Sequence, residues 1–381
     1  MRRVALVALL TVPGAVAAQD HSMHMPGMQM PGMTMPPAKP KPAPKKTVPA
    51  KKAVIAPAKP RAKAKSLAVK KTAPAAMDHS QMDHSQMDHG QMDHGQMDHG
   101  QMDHDAMDHG AMAQDAPALW RVADEDTTIY LFGTVHALPS DVDWYSGPVK
   151  TALDESSTLV TEIDMSPEAL AEIGPMIQQI AILPEGTSLR GMMSEEQRET
   201  YEAAMASLGV PPEAFDNLEP WFAALQLSNI AFAKAGFQPQ NGTETVLEAT
   251  VGDTKGRDAL ETPRYQFSIF DELPMDAQID YLVETAAEID TLGPMLDEMI
   301  AEWAEGDVEA LGHLLNDALQ SDPVLAERLL YARNANWAVW IDDRLDTPGT
   351  IFMAVGAGHL AGTNKLQDLL AERGIQAVRV Q

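Results

Sequence analysis

Beyond residue 118 the hydrophobic and polar positions recur with the periods of packed secondary structure. TTIYLF (127–132) alternates and is rich in β-branched side chains, which predicts a strand. TLVTEI (158–163), KGRDALE (255–261), TIFMAV (350–355) and IQAVRV (375–380) predict four more, the KGRDALE segment the weakest. Between them the periodicity is helical. SEEQRETYEAAMASLG (194–209) opens with an S-x-x-Q capping pattern and ends at glycine. PPEAFDNLEPWFAALQLSNIAFAKAG (211–236) predicts a helix broken near Pro220. Further helical pattern covers 275–306 and 322–345. Strands at both ends with a long helical middle predict an α/β domain over 117–381: a central sheet with a helical insertion packed over one face.

Before that point no such period exists. MRRVALVALLTVPGAVAA (1–18) has Arg2 and Arg3, an apolar run from Val4 to Val12 and the small-residue pattern Ala15-Val16-Ala17. This is the layout of a secretory signal peptide, too short to span a bilayer, and the early start of the apolar run favours the general export route. Next come two histidines and six methionines between His21 and Met35, then a Lys/Ala/Pro stretch that proline keeps extended. From Met77 to Met112 an M-D-H unit recurs seven times, with a histidine at every fifth position. A five-residue period on a helix scatters the histidines about 140° apart. With Gly, Ser and Asp throughout, 19–116 reads as a disordered extension.

The net charge of −27 divides unevenly along the chain. Residues 1–76 hold 14 basic residues against one acid, whereas residues 118–381 hold 14 basic against 45 acidic. A body so acidic repels nucleic acid and excludes that partner class. The chain has no cysteine, which removes disulfides, thiolate metal sites, a cysteine nucleophile and a lipid-anchored cysteine together. No later apolar stretch reaches transmembrane length, so the expected location is the periplasm or the medium.

The body holds three histidines, and two share a context. Gly133-Thr134-Val135-His136 follows the first predicted strand, and Gly356-Ala357-Gly358-His359 follows the fourth. Glycine permits the tight turn and close backbone approach that lift a side chain into a crevice at a sheet edge. One G-x-x-H is a weak pattern; its repetition at two strand ends carries weight. The competing reading is a pair of core histidines satisfied by carbonyls. His313, within ALGHLLND, sits on an amphipathic helix and reads as structural or surface. Glu162, ending LVTEID, would lie near His136 if their strands were neighbours; otherwise it is a solvated acid.

The segment LWRVADEDTTIYLFGTVHALPSDVDWYSGPVKTALDESSTLVTEID resembles the opening of the TraB/GumN family, which is related to the Tiki metalloproteases. The resemblance continues through GTETVLEATVGDTKGRDALETPRYQFSIFDELP, LLYARNANWAVWIDDRL and TIFMAVGAGHLAGTNKLQDLLAERGIQAVRV, and so covers 118–381. It implies a metal-dependent hydrolase, with peptidase activity as in the Tiki branch. His136, Glu162 and His359 match the family's polar site, Arg333 and Asn334 its Arg-Asn pair, and Glu261 its recurrent Leu-Glu. One departure stands out: the usual G-x-D before the helical segment is Gly242-Thr243-Glu244.

Two imidazoles and a carboxylate suit one divalent ion with a position open for water. On this reading His136, His359 and Glu162 hold Mn²⁺, Co²⁺ or Zn²⁺, and Glu162 or Glu261 takes a proton as general base. Arg333, beside Asn334, stabilises the developing oxyanion. In the ribbon, thioether and imidazole together favour copper, especially Cu(I). The candidate ligands there are His79, His84, His89, His94, His99, His104 and His109 with Met82, Met87, Met92, Met97 and Met102.

Three functions stay open. The chain is an exported metal-dependent hydrolase of peptides or small molecules with a copper-buffering tail. Alternatively, it is a copper-binding protein whose body is a non-catalytic scaffold. The third is a metal-free esterase using His136 and His359 as acid and base.

Overall fold

The structure, a computed structural model, describes residues 116–319 and 323–381. The expected signal peptide, the Lys/Pro stretch and the copper ligands between His79 and His109 lie outside the described residues. The elements run β1 (Leu119–Ala123), β2 (Thr127–Thr134), α1 (Gly147–Glu155), β3 (Thr158–Ile163), α2 (Pro167–Ile180), α3 (Leu189–Met192), α4 (Glu195–Leu208), α5 (Pro220–Lys234), α6 (Thr243–Val251) and β4 (Gly256–Glu261). They continue with α7 (Pro263–Asp271), α8 (Met275–Ala287), α9 (Leu292–Glu305), α10 (Val308–Leu319), α11 (Pro323–Ala326), α12 (Ala332–Leu345), β5 (Gly349–Gly356), α13 (Leu366–Glu372) and β6 (Ala377–Arg379).

The six strands form one mixed sheet in the order β4-β3-β5-β2-β1-β6. The four strands from β4 to β2 are parallel, while β1 runs antiparallel to both β2 and β6. All five strands expected from the sequence are present, though the last is confined to 377–379. β1 was not expected. Its pairing depends on a tight turn that residues 119–123 do not advertise: Asp124 Oδ1 accepts the N–H groups of Asp126 and Thr127, folding the chain back into β2.

Helix ends follow local chemistry. Ser194 and Gln197 form the expected capping box at the start of α4, and Gly209 closes it in the left-handed conformation at φ 75°. The break near Pro220 is the start of α5, where proline at the first helical position loses no hydrogen bond. The 275–306 segment is two helices, α8 and α9, parted at 288–291.

The sheet buries both faces. Phe132, Leu159 and Phe352 point into the larger core with the helical insertion, where Trp221, Phe267 and Phe270 also pack. Ile129, Leu131, Val160, Ile351 and Met353 point the other way, against Trp337 and Ile341 of α12 and Leu366 and Leu370 of α13. The insertion therefore covers one face as expected, and α12 with α13 covers the second. Among the described residues no helix is long and apolar enough to cross a membrane.

Candidate functional site

The four parallel strands all deliver a candidate residue at their carboxyl ends, where open α/β sheets bind ligands. Glu162 is the penultimate residue of β3 and Glu261 the last of β4. His136 follows β2, and His359 closes a short 3₁₀ turn directly after β5. β2 and β5 pair in register, Gly133 with Val355 and Thr134 with Gly356. The two glycine turns also touch: a Cβ on Gly133 would stand 3.1 Å from the Ala357 Cα. The likeness of the two G-x-x-H phrases is thus a likeness of place. His313 is exposed on α10, as its surface reading expects.

β5 lies between β2 and β3, so the neighbour relation through which Glu162 would reach His136 is absent. Glu162 instead accepts the Gly356 N–H at 2.7 Å on Oε1, which ties it to the turn that carries His359. The carboxylate beside His136 is Glu244, with Oε1 2.5 Å from Nδ1. It is delivered by the Gly242-Thr243-Glu244 turn at the start of α6. Thr243 N–H donates to Val135 O at 2.9 Å, and Thr243 Oγ1 accepts the Val135 N–H at 2.9 Å. Because this turn lies directly on the strand end, only glycine fits at 242.

Arg333, fully buried in the first turn of α12, stands at the centre of the remaining groups. Nη2 donates to Glu162 Oε2 at 2.5 Å, and Nε donates to Glu261 Oε1 and Oε2 at 3.0 and 3.1 Å. Nη1 donates to Leu329 O at 3.0 Å and faces His359 Nε2 at 3.1 Å. Gln266 on α7 bridges the carboxylates, its Nε2 donating to Glu162 Oε2 at 2.9 Å and to Glu261 Oε2 at 3.2 Å. Trp337 Nε1 donates to Glu261 Oε1 at 2.9 Å, and its ring lies 4.8 Å below the guanidinium carbon.

Partner chemistry settles the His359 tautomer. Arginine only donates, so Nε2 must present its lone pair. On the other side Asn334 Nδ2 donates to Asn364 O at 3.0 Å, which turns Asn334 Oδ1 toward His359 Nδ1 at 2.6 Å. His359 is therefore neutral, with the proton on Nδ1. Asn364, which supplies that carbonyl, has φ 53° and is the one described non-glycine residue with positive φ.

Burial, the charge of Arg333 and that of His136 hold His359 well below the ordinary imidazole pKa. His136 behaves oppositely: burial opposes its protonation, but Glu244 and Glu162 outweigh it and raise its pKa. Burial works to raise the Glu244 pKa as well, and the His136 charge reverses that, leaving it lowered. Burial raises the Glu162 pKa against the pull of Arg333. His136 Nε2, Gln266 Oε1 and Thr134 Oγ1 are buried here without a hydrogen-bond partner, while His136 Nδ1 and Glu244 Oε1 meet as an ion pair.

Apart from His313, the residues singled out from sequence thus converge on one buried edge, Thr243 and Glu244 of the G-x-E departure among them, and Gln266 and Trp337 join them. Gln266 left one trace in the sequence, a polar residue within the buried stripe Gln266, Phe267, Ile269, Phe270 of α7. As they stand, no three His, Asp or Glu side chains among the described residues are grouped so as to hold a metal ion. The donor chemistry nevertheless fits one. Both imidazoles have Nδ1 against a side-chain oxygen, the outer support that metal-ligating histidines use; His136 leaves Nε2 without a partner, while His359 presents its Nε2 lone pair to Arg333.

Residues 118–379 match the model of the TraB/PrgY/gumN family. The chain is also similar to the uncharacterized protein YbaP of Escherichia coli strain K12 and of Shigella flexneri. Each is 24% identical over 242 residues, covering 63% of this chain and 87% of the relative. No solved structure matches the chain. The match spans both G-x-x-H turns, all six strands and the helices between them, and the chain belongs to the TraB/PrgY/gumN family.

Proposed function

We propose that the body is a hydrolase of peptide bonds, with a divalent metal held by His136 Nε2, His359 Nε2 and Glu162. The observation that carries this reading is the matched support of the two rings, Glu244 behind His136 and Asn334 behind His359. A buried Nε2 without a partner on His136 adds to it, since native proteins rarely leave such an atom unsatisfied. Mn²⁺, Co²⁺ and Zn²⁺ all suit imidazole and carboxylate donors. When bound, such an ion polarises a carbonyl and lowers the pKa of a bound water.

The chain's own groups divide the remaining work. Asn334 and Glu244 fix the rings. Glu261 and Glu162 are the proton acceptors within reach of the edge, and Arg333 is the cation available to a developing oxyanion. The same proposal has the chain exported to the periplasm or beyond, with the Met/His ribbon binding copper through thioether and imidazole.

A second reading keeps the copper-binding tail and treats the body as a non-catalytic scaffold. The position of Arg333 favours it, because the guanidinium already neutralises Glu162 and Glu261. A cleavage screen separates the two. Full-length protein is stripped with chelator, restored with Mn²⁺, Co²⁺ or Zn²⁺ and offered a peptide library. Metal-dependent cleavage lost in both His136→Ala and His359→Ala supports the hydrolase. Cleavage retained in both variants, or none with any metal, refutes it.

A further inference from the structure

Arg333 occupies the place that a cation would take. Its three nitrogens engage Glu162 Oε2, both oxygens of Glu261 and the His359 Nε2 lone pair. Two of the three proposed ligands are therefore already satisfied by one guanidinium. A metal ion at His359 Nε2 would need the lone pair that faces Nη1, and would stand close beside an arginine that stays charged at any working pH. In a buried site such like charges repel strongly.

We infer that Arg333 sets the metal affinity of the site, because its guanidinium and a divalent ion are alternative occupants of one anionic cup lined by Glu162, Glu261 and His359. This rests on the metal-binding reading above. The backbone provides for the exchange. Glu327–Tyr331, directly before α12, form a π turn in which the Ala332 N–H reaches back to Glu327 O. A π turn holds one residue more than the helix it interrupts, so a change of turn type there re-aims the first turn of α12 by about 100°. Leu329 O within this turn holds Nη1, which couples the guanidinium to the segment whose turn type would change. Trp337 flanks both groups, its ring 4.8 Å from the Arg333 guanidinium carbon and tilted 44° to the His359 ring at 4.2 Å, and offers the guanidinium an apolar surface to move along.

The test uses full-length protein and Mn²⁺ alone, a hard ion for which the Met/His tail is a poor host. Free Mn²⁺ is followed by electron paramagnetic resonance, and His136→Ala supplies the background to subtract. Arg333→Met, which keeps the stem and removes the charge, should bind site Mn²⁺ at least ten-fold more tightly than the wild type. Arg333→Lys should not gain to the same degree. Equal or weaker binding by a folded Arg333→Met overturns the inference and leaves the metal site standing. No His136-dependent Mn²⁺ in either the wild type or Arg333→Met overturns both.

Should Arg333→Met fail to fold, hydrogen exchange on the wild type answers the question. Mn²⁺ should alter the exchange of amides 327–333 in the wild type and not in His136→Ala. Unaltered exchange on saturation with Mn²⁺ overturns the competition.

Discussion

A Cβ placed on Gly242 would stand 2.1 Å from the carbonyl oxygen of His136. The oxygen is backbone and the Cβ is placed rigidly by its own backbone, so neither can swing aside. Gly242→Ala must push the turn off the end of β2 and carry Glu244 away from the His136 ring. The expected cost is about 1–3 kcal/mol of stability, as for other overpacked sites, together with weakened metal binding. Urea unfolding measures the first and Mn²⁺ titration the second. An alanine variant as stable as the wild type would show that the contact relaxes freely.

Glu244 is the orienting partner of His136, and loss of such partners usually lowers metal affinity about 10–100-fold. Glu244→Gln keeps the shape and removes the charge, so it should show a loss in this range. Glu244→Asp should retain the charge but reach less far, and fall between. The comparison needs only Mn²⁺ binding against the His136→Ala background. Wild-type affinity in Glu244→Gln would reduce the carboxylate to a packing role.

The two histidines should pull the pH dependence of stability in opposite directions in chelated, metal-free protein. His359 has a folded pKa well below its ordinary 6.5, through burial first and then Arg333. Its contribution is complete above about 6.5 and is lost as pH falls, with a slope of at most about 1.4 kcal/mol per pH unit. His136 has a folded pKa raised above 6.5 by Glu244 and Glu162, against its burial. Its contribution is complete at low pH and is lost as pH rises through that value. Urea midpoints between pH 5 and 8 should thus show a shallower acid limb in His359→Gln and a shallower alkaline limb in His136→Gln. Parallel curves for all three proteins would contradict the assigned charge states.

The ribbon is tested by removing it. Full-length protein should retain Cu(I) against a modest chelator, and a variant lacking residues 77–112 should lose most of that capacity. Loss of only a minor fraction would assign the copper to other residues.

Much of this site was legible before any coordinates. Five strands announced themselves through β-branched alternation, and the paired G-x-x-H phrases marked His136 and His359 because their strands end in register. The connectivity was not legible. Nothing local in TLVTEI says that β5, far along the chain, lies between it and TTIYLF, so the direct strand neighbourhood expected for Glu162 and His136 is replaced by a contact through the β5 turn. Arg333 was recognised, but sequence cannot tell a guanidinium that waits for a charge from one that already holds two. Gln266 was missed because a glutamine on a helix is usually solvated; only the apolar neighbours at Phe267, Ile269 and Phe270 set it apart. β1 was missed because five residues containing a charged arginine carry too little pattern on their own.

The placement of β5 also constrains how the molecule is made. Residues 349–356 are the inner strand that joins β2 to β3, yet the ribosome delivers them only after the entire helical insertion. Until then both earlier strands expose unsatisfied amide edges, the kind of surface that chaperones shield and that neighbouring chains can zip onto. A nascent chain halted before Gly349 cannot form a smaller working version of this domain. Its two histidine turns meet only once β5 has been made.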